Sequence, residues 1–466
     1  MKIVKNNRYI YRVATVFIII FICVGAYLGY FTVVESKKIV MNPYNKRLDH
    51  LESEVIRGSI YDTEGVLLAT SEQGEREYPY DRTYAHAIGY VGHGKVGVEA
   101  RANVELLYPD YHAKALLNYA FAGEKFKGHD VYLTLDHTLQ EAAQKGLEGK
   151  KGAAIVLEPK TGKIRAMYAT PGFNPNTISE NWESLTQDTE ESPLLNRATQ
   201  GLYPPGSTFK ILTSIAYLEE KGDSAFDFEY NCQGSITKDG HQIKCNNGKA
   251  HGMVNLESAF AKSCNTYFIE LTEQVPIAKL QQVADRLLFN HDLPVQVDYQ
   301  KSRFTLNEQS SSFDQLITYI GQGETLISPL HLAMIASILY NDGVLMMPYI
   351  IDYSLDTKGE IALKNLPEYQ GTYLDEKVCH TLKSLMTKVV TEGTGNRLER
   401  PDMLIGGKTG TAQNETSKDH SLFVGFVEPK DTNKESLVLA VVVEQGGRGA
   451  QALDVTQMLI DAYAQK

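Results

Sequence analysis

The sequence predicts an α+β protein: one membrane-spanning helix, a small mainly β unit, and a larger domain whose antiparallel sheet packs against helices. Three observations predict it. Residues 13–34 are uncharged and apolar, glycine- and turn-rich β texture then runs to about residue 150, and residues 151–466 begin and end with strand patterns around a helical middle. The chain has 466 residues, 43% hydrophobic and 22% charged, a globular balance with room for two or three domains. Its formal charge of -11, with no basic stripe, argues against a nucleic-acid partner, because phosphate contacts need Lys and Arg.

The 22 residues of the apolar run make about 33 Å of helix, enough for a hydrocarbon core of about 30 Å. Lys2, Lys5, Arg8 and Arg12 precede it, so residues 1–12 are expected in the cytoplasm and everything after the span outside. Tyr30-Phe31-Thr32-Val33-Val34 offers no small-residue cleavage site, and bulky Ile22 precedes Cys23, so an uncleaved anchor is expected rather than a signal peptide.

Residues 35–150 read as one unit. Arg57-Gly58-Ser59-Ile60-Tyr61-Asp62, the turn Glu64-Gly65 and Val66-Leu67-Leu68-Ala69 spell strand, turn, strand. Gly89, Gly92, Gly94 and Gly97 continue the turn-rich texture. A strand is expected at 131–135 and a helix at 137–147, after which Gly149-Lys150-Lys151-Gly152 reads as a hinge.

Residues 151–466 form the second domain. Strands at 153–157 and 163–168 flank Pro159-Lys160-Thr161-Gly162, a hairpin turn. Helices are expected at 208–221, 256–272, 277–288, 330–341 and 375–392, strands at 421–427 and 437–444, and a last helix at 454–464. Strands at both ends suggest one sheet whose first and last strands meet, packed on the helices.

The chemistry starts at Ser207-Thr208-Phe209-Lys210, which opens an apolar helical stretch. Ser207 stands where backbone N–H groups and the positive helix end favour an oxyanion. Lys210 lies one turn on, where burial would lower its pKa and let it accept the serine proton. Ser-x-x-Lys is a weak pattern alone, and Ser235-Ile236-Thr237-Lys238 repeats it in what reads as a surface hairpin. Lys-Thr-Gly also occurs twice, at the tip Lys160-Thr161-Gly162 and at Lys408-Thr409-Gly410-Thr411 before the terminal strands. Ser-x-Asn occurs at Ser179-Glu180-Asn181, read as a polar loop with the lone Trp182, and at Ser263-Cys264-Asn265, near the start of an apolar helix. The ordered set Ser207, Ser263, Lys408, each in a distinct context, carries far more than any member.

This set resembles the active site of the penicillin-recognising acyl-serine transferases, which include penicillin-binding proteins and serine β-lactamases. Residues 57–62 with Gly65, Leu68 and Ala69 resemble the signature of the non-catalytic, dimerisation-type pedestal of class B penicillin-binding proteins, and Gly97-Val98-Glu99 is a weaker mark of it. Tyr203-Pro204-Pro205-Gly206-Ser207-Thr208-Phe209-Lys210, and Ile320-Gly321-Gln322-Gly323 with Ser328-Pro329, resemble the class B transpeptidase domain. The resemblance implies a peptidoglycan D,D-transpeptidase of cell-wall synthesis, serving cell shape, cell division or sporulation. Ser207 would attack a D-Ala-D-Ala bond, Lys210 would activate it, Ser263 would relay a proton to the leaving amine, and Asn265 would hold the substrate amide and Lys210. Lys408 would set the potential and, with Thr409 and Thr411, bind the terminal carboxylate. The N–H groups of Ser207 and Thr411 would form the oxyanion hole, and Gly410 would let substrate lie against the strand. It also implies β-lactams as covalent ligands, stem peptides as substrates, no cofactor, and a polytopic glycan polymerase of the SEDS family as partner in the plasma membrane. The alternatives are a D,D-carboxypeptidase or β-lactamase, or a β-lactam sensor or scaffold with little turnover.

The sequence departs from the class A β-lactamase pattern at Cys264, where those enzymes carry Asp. Cys232 and Cys245 leave three readings open: a disulfide, free thiols, or a metal site completed by His241 and His251. Cys264 and Cys379 are expected to fill space on helices, and no metal ligand is assigned.

Overall fold

The computed structural model describes residues 4–31, 54–71, 74–108, 125–412, 418–447 and 450–466. Helix α1 (Val4–Tyr30) contains the apolar run, and its stretch Tyr9–Tyr30 is long and apolar enough to cross a membrane. Phe21 is 74% exposed and no part of the stretch is buried, so nothing among the described residues covers this surface. Residues 32–53, which include the expected end of the span, lie outside the described residues.

The strand–turn–strand motif forms as β1 (Ile60–Tyr61) and β2 (Leu67–Ala69), paired antiparallel. Asp62 Oδ1 accepts from the N–H groups of Glu64 and Val66 at 2.8 and 2.7 Å, which fixes the turn, and Gly65 sits at φ +86°. Arg57 and Arg76 both donate to Glu99 at 2.7 Å, and Glu99 is fully buried. Burial pushes the Glu99 carboxyl up, but Arg76 and Arg57 outweigh it and leave it below the ordinary value. The two sequence marks of this unit are thus partners in one buried ion cluster.

Strand β3 (Asp130–Leu133) lies parallel to β1, and helix α2 (His137–Gly146) follows, capped by Asp136 accepting from Leu139 N–H. Strand β4 (Lys151–Leu157) starts inside the expected hinge: Lys151 and Gly152 belong to the strand. It forms a hairpin with β5 (Ile164–Thr170). Helix α3 (Ile178–Gln187) corrects the polar-loop reading, because Ser179, Asn181 and Trp182 all lie on it. Ile178, Trp182 and Leu185 share one face against Tyr90 and Phe173, and Trp182 stacks on His93 at 4.7 Å.

Helix α4 (Lys210–Lys221) follows a 3-10 turn, Gly206–Phe209. A small lobe comes next, from β6 (Tyr230–Cys232), β7 (Ser235–Lys238), β8 (His241–Lys244) and β9 (Gly252–Val254). The helix expected at 256–272 is two helices, α5 (Leu256–Ala261) and α6 (Asn265–Glu270), broken at residues 262–264. Helix α7 (Ile277–Arg286) and the wholly buried α8 (Pro329–Tyr340), with a short helix at Ser312–Thr318 between them, continue the helical middle. The chain then returns to the N-terminal unit: β10 (Ile351–Leu355) pairs with β3 and β11 (Ile361–Lys364), giving a five-stranded sheet in the order β11-β10-β3-β1-β2.

Helix α9 (Glu376–Thr391) leads into β12 (Met403–Ala412), β13 (His420–Pro429) and β14 (Leu437–Glu444), and α10 (Ala450–Gln465) ends the chain. The main sheet runs β12-β13-β14-β4-β5, and β14 pairs antiparallel with β4, so the first and last strands do meet. Both faces are buried, as helices on each side require. Val438, Ala440 and Val442 of β14 join the core that contains α8, while Leu437, Leu439, Val441 and Val443 join the core that contains α2 and α10.

Candidate active site

The turn that carries Ser207 is clamped by glycines. Gly206 has φ +51°, and a Cβ there would stand 2.3 Å from the Thr411 carbonyl oxygen. Gly206 N–H donates to the Gly321 carbonyl at 2.8 Å, and Gly321, at φ +76°, has no room for a Cβ either, since Gly206 O would lie 2.0 Å away. The Ile320–Gly323 segment therefore braces the nucleophile's turn by backbone contact, which only glycine permits.

Lys210 is fully buried and is the hub. Its Nζ donates to Asn265 Oδ1 at 2.7 Å and Ser263 O at 2.9 Å, and lies 3.2 Å from Ser207 Oγ and 3.3 Å from Ser263 Oγ. Burial pulls its pKa down to about 8, against a small opposing effect of Cys264 and Cys245. Lys408, equally buried, donates to Ser263 Oγ at 2.9 Å. Burial and the charge of Lys210 hold its pKa well below the ordinary value. No carboxylate pairs with either amine among the described residues; Phe268 and Phe260 offer ring faces at 5.3 and 5.7 Å instead.

Ser263 occupies the break between α5 and α6 at φ +56°, a left-handed conformation that costs a non-glycine residue about 1–3 kcal/mol. The kink turns its Oγ between the two lysines and its own carbonyl toward Lys210. A continuous helix would have committed that carbonyl to its own hydrogen-bond ladder.

Lys408, Thr409, Gly410 and Thr411 lie on β12, with Thr409 and Thr411 lining a cleft of ≈ 740 Å³ that also touches Ser207, Ser263 and Asn265. Thr394, which the sequence reading missed, meets Thr409 with hydroxyl oxygens 2.6 Å apart. Gly410 also makes a contact that the sequence does not announce. Its missing Cβ would meet Thr208 Cγ2 at 2.9 Å, Leu422 Cβ at 3.0 Å and Pro205 O at 3.1 Å, so it lets β12 press on the Ser207 turn. The second copies of the motifs stay apart from this cluster. Lys238 pairs with Glu273 on the small lobe, Thr161 bonds Glu158 at the hairpin tip, and Ser179 and Asn181 sit on α3.

Of the three readings left open for Cys232 and Cys245, the disulfide is not formed. Cys232 and Cys245 are free thiols with sulfurs 3.7 Å apart, and Cys264, read as filler, lies 3.8 Å from Cys245. His251 Nδ1 is 3.4 Å from Cys232 Sγ, and the four donor atoms all lie within 4.8 Å of one another. His241 is elsewhere, beside Ser312 and Phe313. A zinc ion at about 2.3 Å from tetrahedral thiolates spaces its sulfurs about 3.8 Å apart. Cys232, Cys245, Cys264 and His251 thus have the donor types and spacing to hold zinc. Cys379 is buried on α9 and does fill space.

The profile of the penicillin binding protein transpeptidase domain matches residues 152–462. The chain is 31% identical to the peptidoglycan D,D-transpeptidase MrdA of Acinetobacter baumannii, across 86% of this chain and 68% of that protein. It is 29% identical to the peptidoglycan D,D-transpeptidase PbpA of Mycolicibacterium smegmatis, across 95% and 94%. The imipenem acyl-enzyme complex of penicillin-binding protein A from M. tuberculosis superposes with a TM-score of 0.80 at 27% identity, covering 90% of this chain and all of that one. The chain belongs to the penicillin-binding protein transpeptidase family, in its class B branch.

Proposed function

We propose that this protein is a peptidoglycan D,D-transpeptidase that cross-links stem peptides through an acyl-enzyme on Ser207. The observation that carries the reading is one buried amine, Lys210, in contact with Ser207, Ser263 and Asn265 at once. Neutral Lys210 takes the Ser207 proton as Oγ attacks the carbonyl carbon of the penultimate D-Ala. The N–H groups of Ser207 and Thr411 receive the oxyanion. Ser263 passes a proton to the departing D-Ala amine as the C–N bond breaks, and regains one from Lys210. Asn265 orients Lys210 and the substrate amide. Thr409 and Thr411 bind the terminal carboxylate. Lys408 has no exposed surface, so it acts as a charge behind them rather than by contact. An amine of a second stem then attacks the ester, and Ser207 takes back its proton. A β-lactam keeps its leaving group tethered after ring opening, which leaves Ser207 acylated. The β-lactam acyl-enzymes solved for the M. tuberculosis relative support this step.

The basic residues before the apolar run, Lys2, Lys5, Arg8 and Arg12, support an anchor with residues 1–12 in the cytoplasm and the cleft outside. Residues 35–150 are the proposed non-catalytic pedestal, and a membrane-embedded SEDS-family polymerase is the proposed partner, to be sought by co-purification in detergent.

The test is intact mass of the full-length protein in detergent after brief exposure to benzylpenicillin, with Ser207→Ala as control. One stable adduct, absent from the control, is expected. An adduct lost within minutes would make the protein a hydrolase, and no adduct on folded protein would sink the reading.

A further inference from the structure

The D-Ala that leaves the donor carries its amine and its carboxylate on one carbon, and the amine of the second stem must enter where it stood. By microscopic reversibility, the groups that served the leaving residue then face the incoming one. The fold places them side by side. Thr409 and Thr411 line the cleft on β12, and Thr394 meets Thr409 with hydroxyl oxygens 2.6 Å apart. Thr394 N–H donates to the Ala261 carbonyl at 3.3 Å, and a Cβ on Gly393 would stand 2.3 Å from that same oxygen. The end of α5 therefore abuts the Thr394 segment by backbone contact. The next residue is Lys262, which closes α5, lines the cleft and immediately precedes Ser263.

Charge singles out Lys262. The chain has a formal charge of -11, yet the cleft lining holds three cations, Lys244, Lys262 and Arg397, against one acid, Asp419. Arg397 is committed to Asp454 at 2.9 Å and to the Ala450 carbonyl. Lys244 stands on β8 of the small lobe. Lys262 is exposed, and its amine has no ion-pair or hydrogen-bond partner among the described residues. It thus offers an unspent positive charge beside the place that the leaving D-Ala vacates, and the acyl transfer derived above makes no use of it.

We propose that Lys262 selects the acceptor by binding a carboxylate on the carbon that bears the attacking amine. The second stem then presents an amino-acid amine, of the diaminopimelate type with that carboxylate free, rather than the isolated side-chain amine of a lysine-type stem. The inference rests on the acyl-enzyme reading above and names the substrate class of its second step. With the carboxylate held by Lys262 and Thr409, the neutral amine attacks the ester carbonyl carbon. The C–N bond forms, the bond from that carbon to Ser207 Oγ breaks, and the proton lost by the amine returns to Oγ. Water has no carboxylate to be held, so the same contact favours transfer over hydrolysis. An amidated acceptor offers Lys262 a dipole in place of a charge.

The experiment gives the full-length protein in detergent an acyl-D-alanyl thioester as donor, whose leaving thiol carries no carboxylate. Three acetylated stem tripeptides serve as acceptors, ending in diaminopimelate, in its side-chain amide, or in lysine. Mass spectrometry counts transfer product against hydrolysis product. That ratio is set after the acyl-enzyme exists, so a change in acylation rate does not alter it. Transfer to the free diaminopimelate stem is expected to exceed transfer to its amide by about ten- to a hundred-fold, with lysine as poor as the amide. The amide's amine is the less basic and more often neutral, so protonation alone would give the opposite order. Lys262→Gln is expected to shrink the preference about two- to ten-fold, Lys262→Arg to retain most of it, and Lys364→Gln, on β11, to leave it as in the parent. Equal transfer to acid and amide, or a preference that Lys262→Gln leaves untouched, would overturn the proposal alone. No transfer to any acceptor would sink the transpeptidase reading and this one with it. If Lys262→Gln fails to fold, the parent's preference must weaken as salt rises, and a salt-independent preference overturns the assignment.

Discussion

Replacing Asn265 by Asp tests the role of Lys210 with almost no change of shape. Asn265 Oδ1 accepts from Lys210 Nζ at 2.7 Å, so the substitution places a negative charge at hydrogen-bond distance from the amine. With its pKa at about 8, Lys210 is roughly a quarter neutral at pH 7.5. A carboxylate at such range raises a partner's pKa by about 1–3, which brings the neutral share to roughly 3% or far less. Acylation by a fluorescent penicillin at pH 7.5 should therefore fall by about ten-fold to nearly a thousand-fold. The loss should shrink as pH rises, because the amine still deprotonates, only later. In the parent the rate should climb through pH 8 and level off; in Asn265→Asp the climb should move to between about 9 and 11. A variant slowed by the same factor at every pH would show that Asn265 positions substrate and leaves Lys210 alone. A parent rate flat from pH 6 to 9 would refute Lys210 as the base.

Other expectations follow from the same contacts. Lys210→Met should abolish acylation yet raise stability at pH 7 by up to about 3 kcal/mol, since charging the buried amine costs the folded protein that much. The sign is fixed by the lowered pKa: the penalty is full below about pH 8 and fades toward pH 10.5, so the variant's thermal advantage should shrink over that window. Thr394→Val removes the hydroxyl 2.6 Å from Thr409 and should slow acylation about ten-fold, with Thr394→Ser restoring it. Purified protein should carry about one zinc per chain by elemental analysis, and chelation should lower its melting temperature; a metal-free protein with unchanged melting would count against the site. Glu99→Gln should cost about 3–5 kcal/mol in thermal or denaturant unfolding, because it leaves Arg57 and Arg76 buried without their partner charge.

The sequence was readable wherever a pattern is local and has a mechanism. The apolar run, the meeting of the terminal strands, and Ser207, Lys210, Ser263, Asn265 and Lys408 as one constellation all came from such patterns. The break at residues 262–264 did not. Apolar residues continue on both sides, and Lys262-Ser263-Cys264 contains neither Gly nor Pro; the left-handed Ser263 is imposed by its contacts to the two lysines. Helix α3 was missed although Ile178, Trp182 and Leu185 carry its spacing, because its other residues are polar. The departure of residues 351–364 to the N-terminal sheet and the gathering of Cys232, Cys245, His251 and Cys264 depend on tertiary packing. No spacing rule would have separated His251 from His241.

One chain buries charge in two opposite ways, and the contrast explains what each place does. At Glu99 every lone pair that matters is met by a guanidinium, Tyr78 donates a further hydrogen bond, and the carboxyl titrates below its ordinary range. Such a group exchanges no proton near neutral pH, so it can only hold the N-terminal unit together. At Lys210 the acceptors are an amide, a carbonyl and two hydroxyls, all neutral, and the neighbouring Lys408 repels it. Hydrogen bonding is satisfied while charge is not, so geometry is fixed and the proton is loosely held. A carboxylate in place of any of those acceptors would hold the proton more tightly and slow the chemistry near neutral pH. The left-handed Ser263 is then intelligible as a means of keeping neutral oxygens, rather than a counter-ion, against the amine.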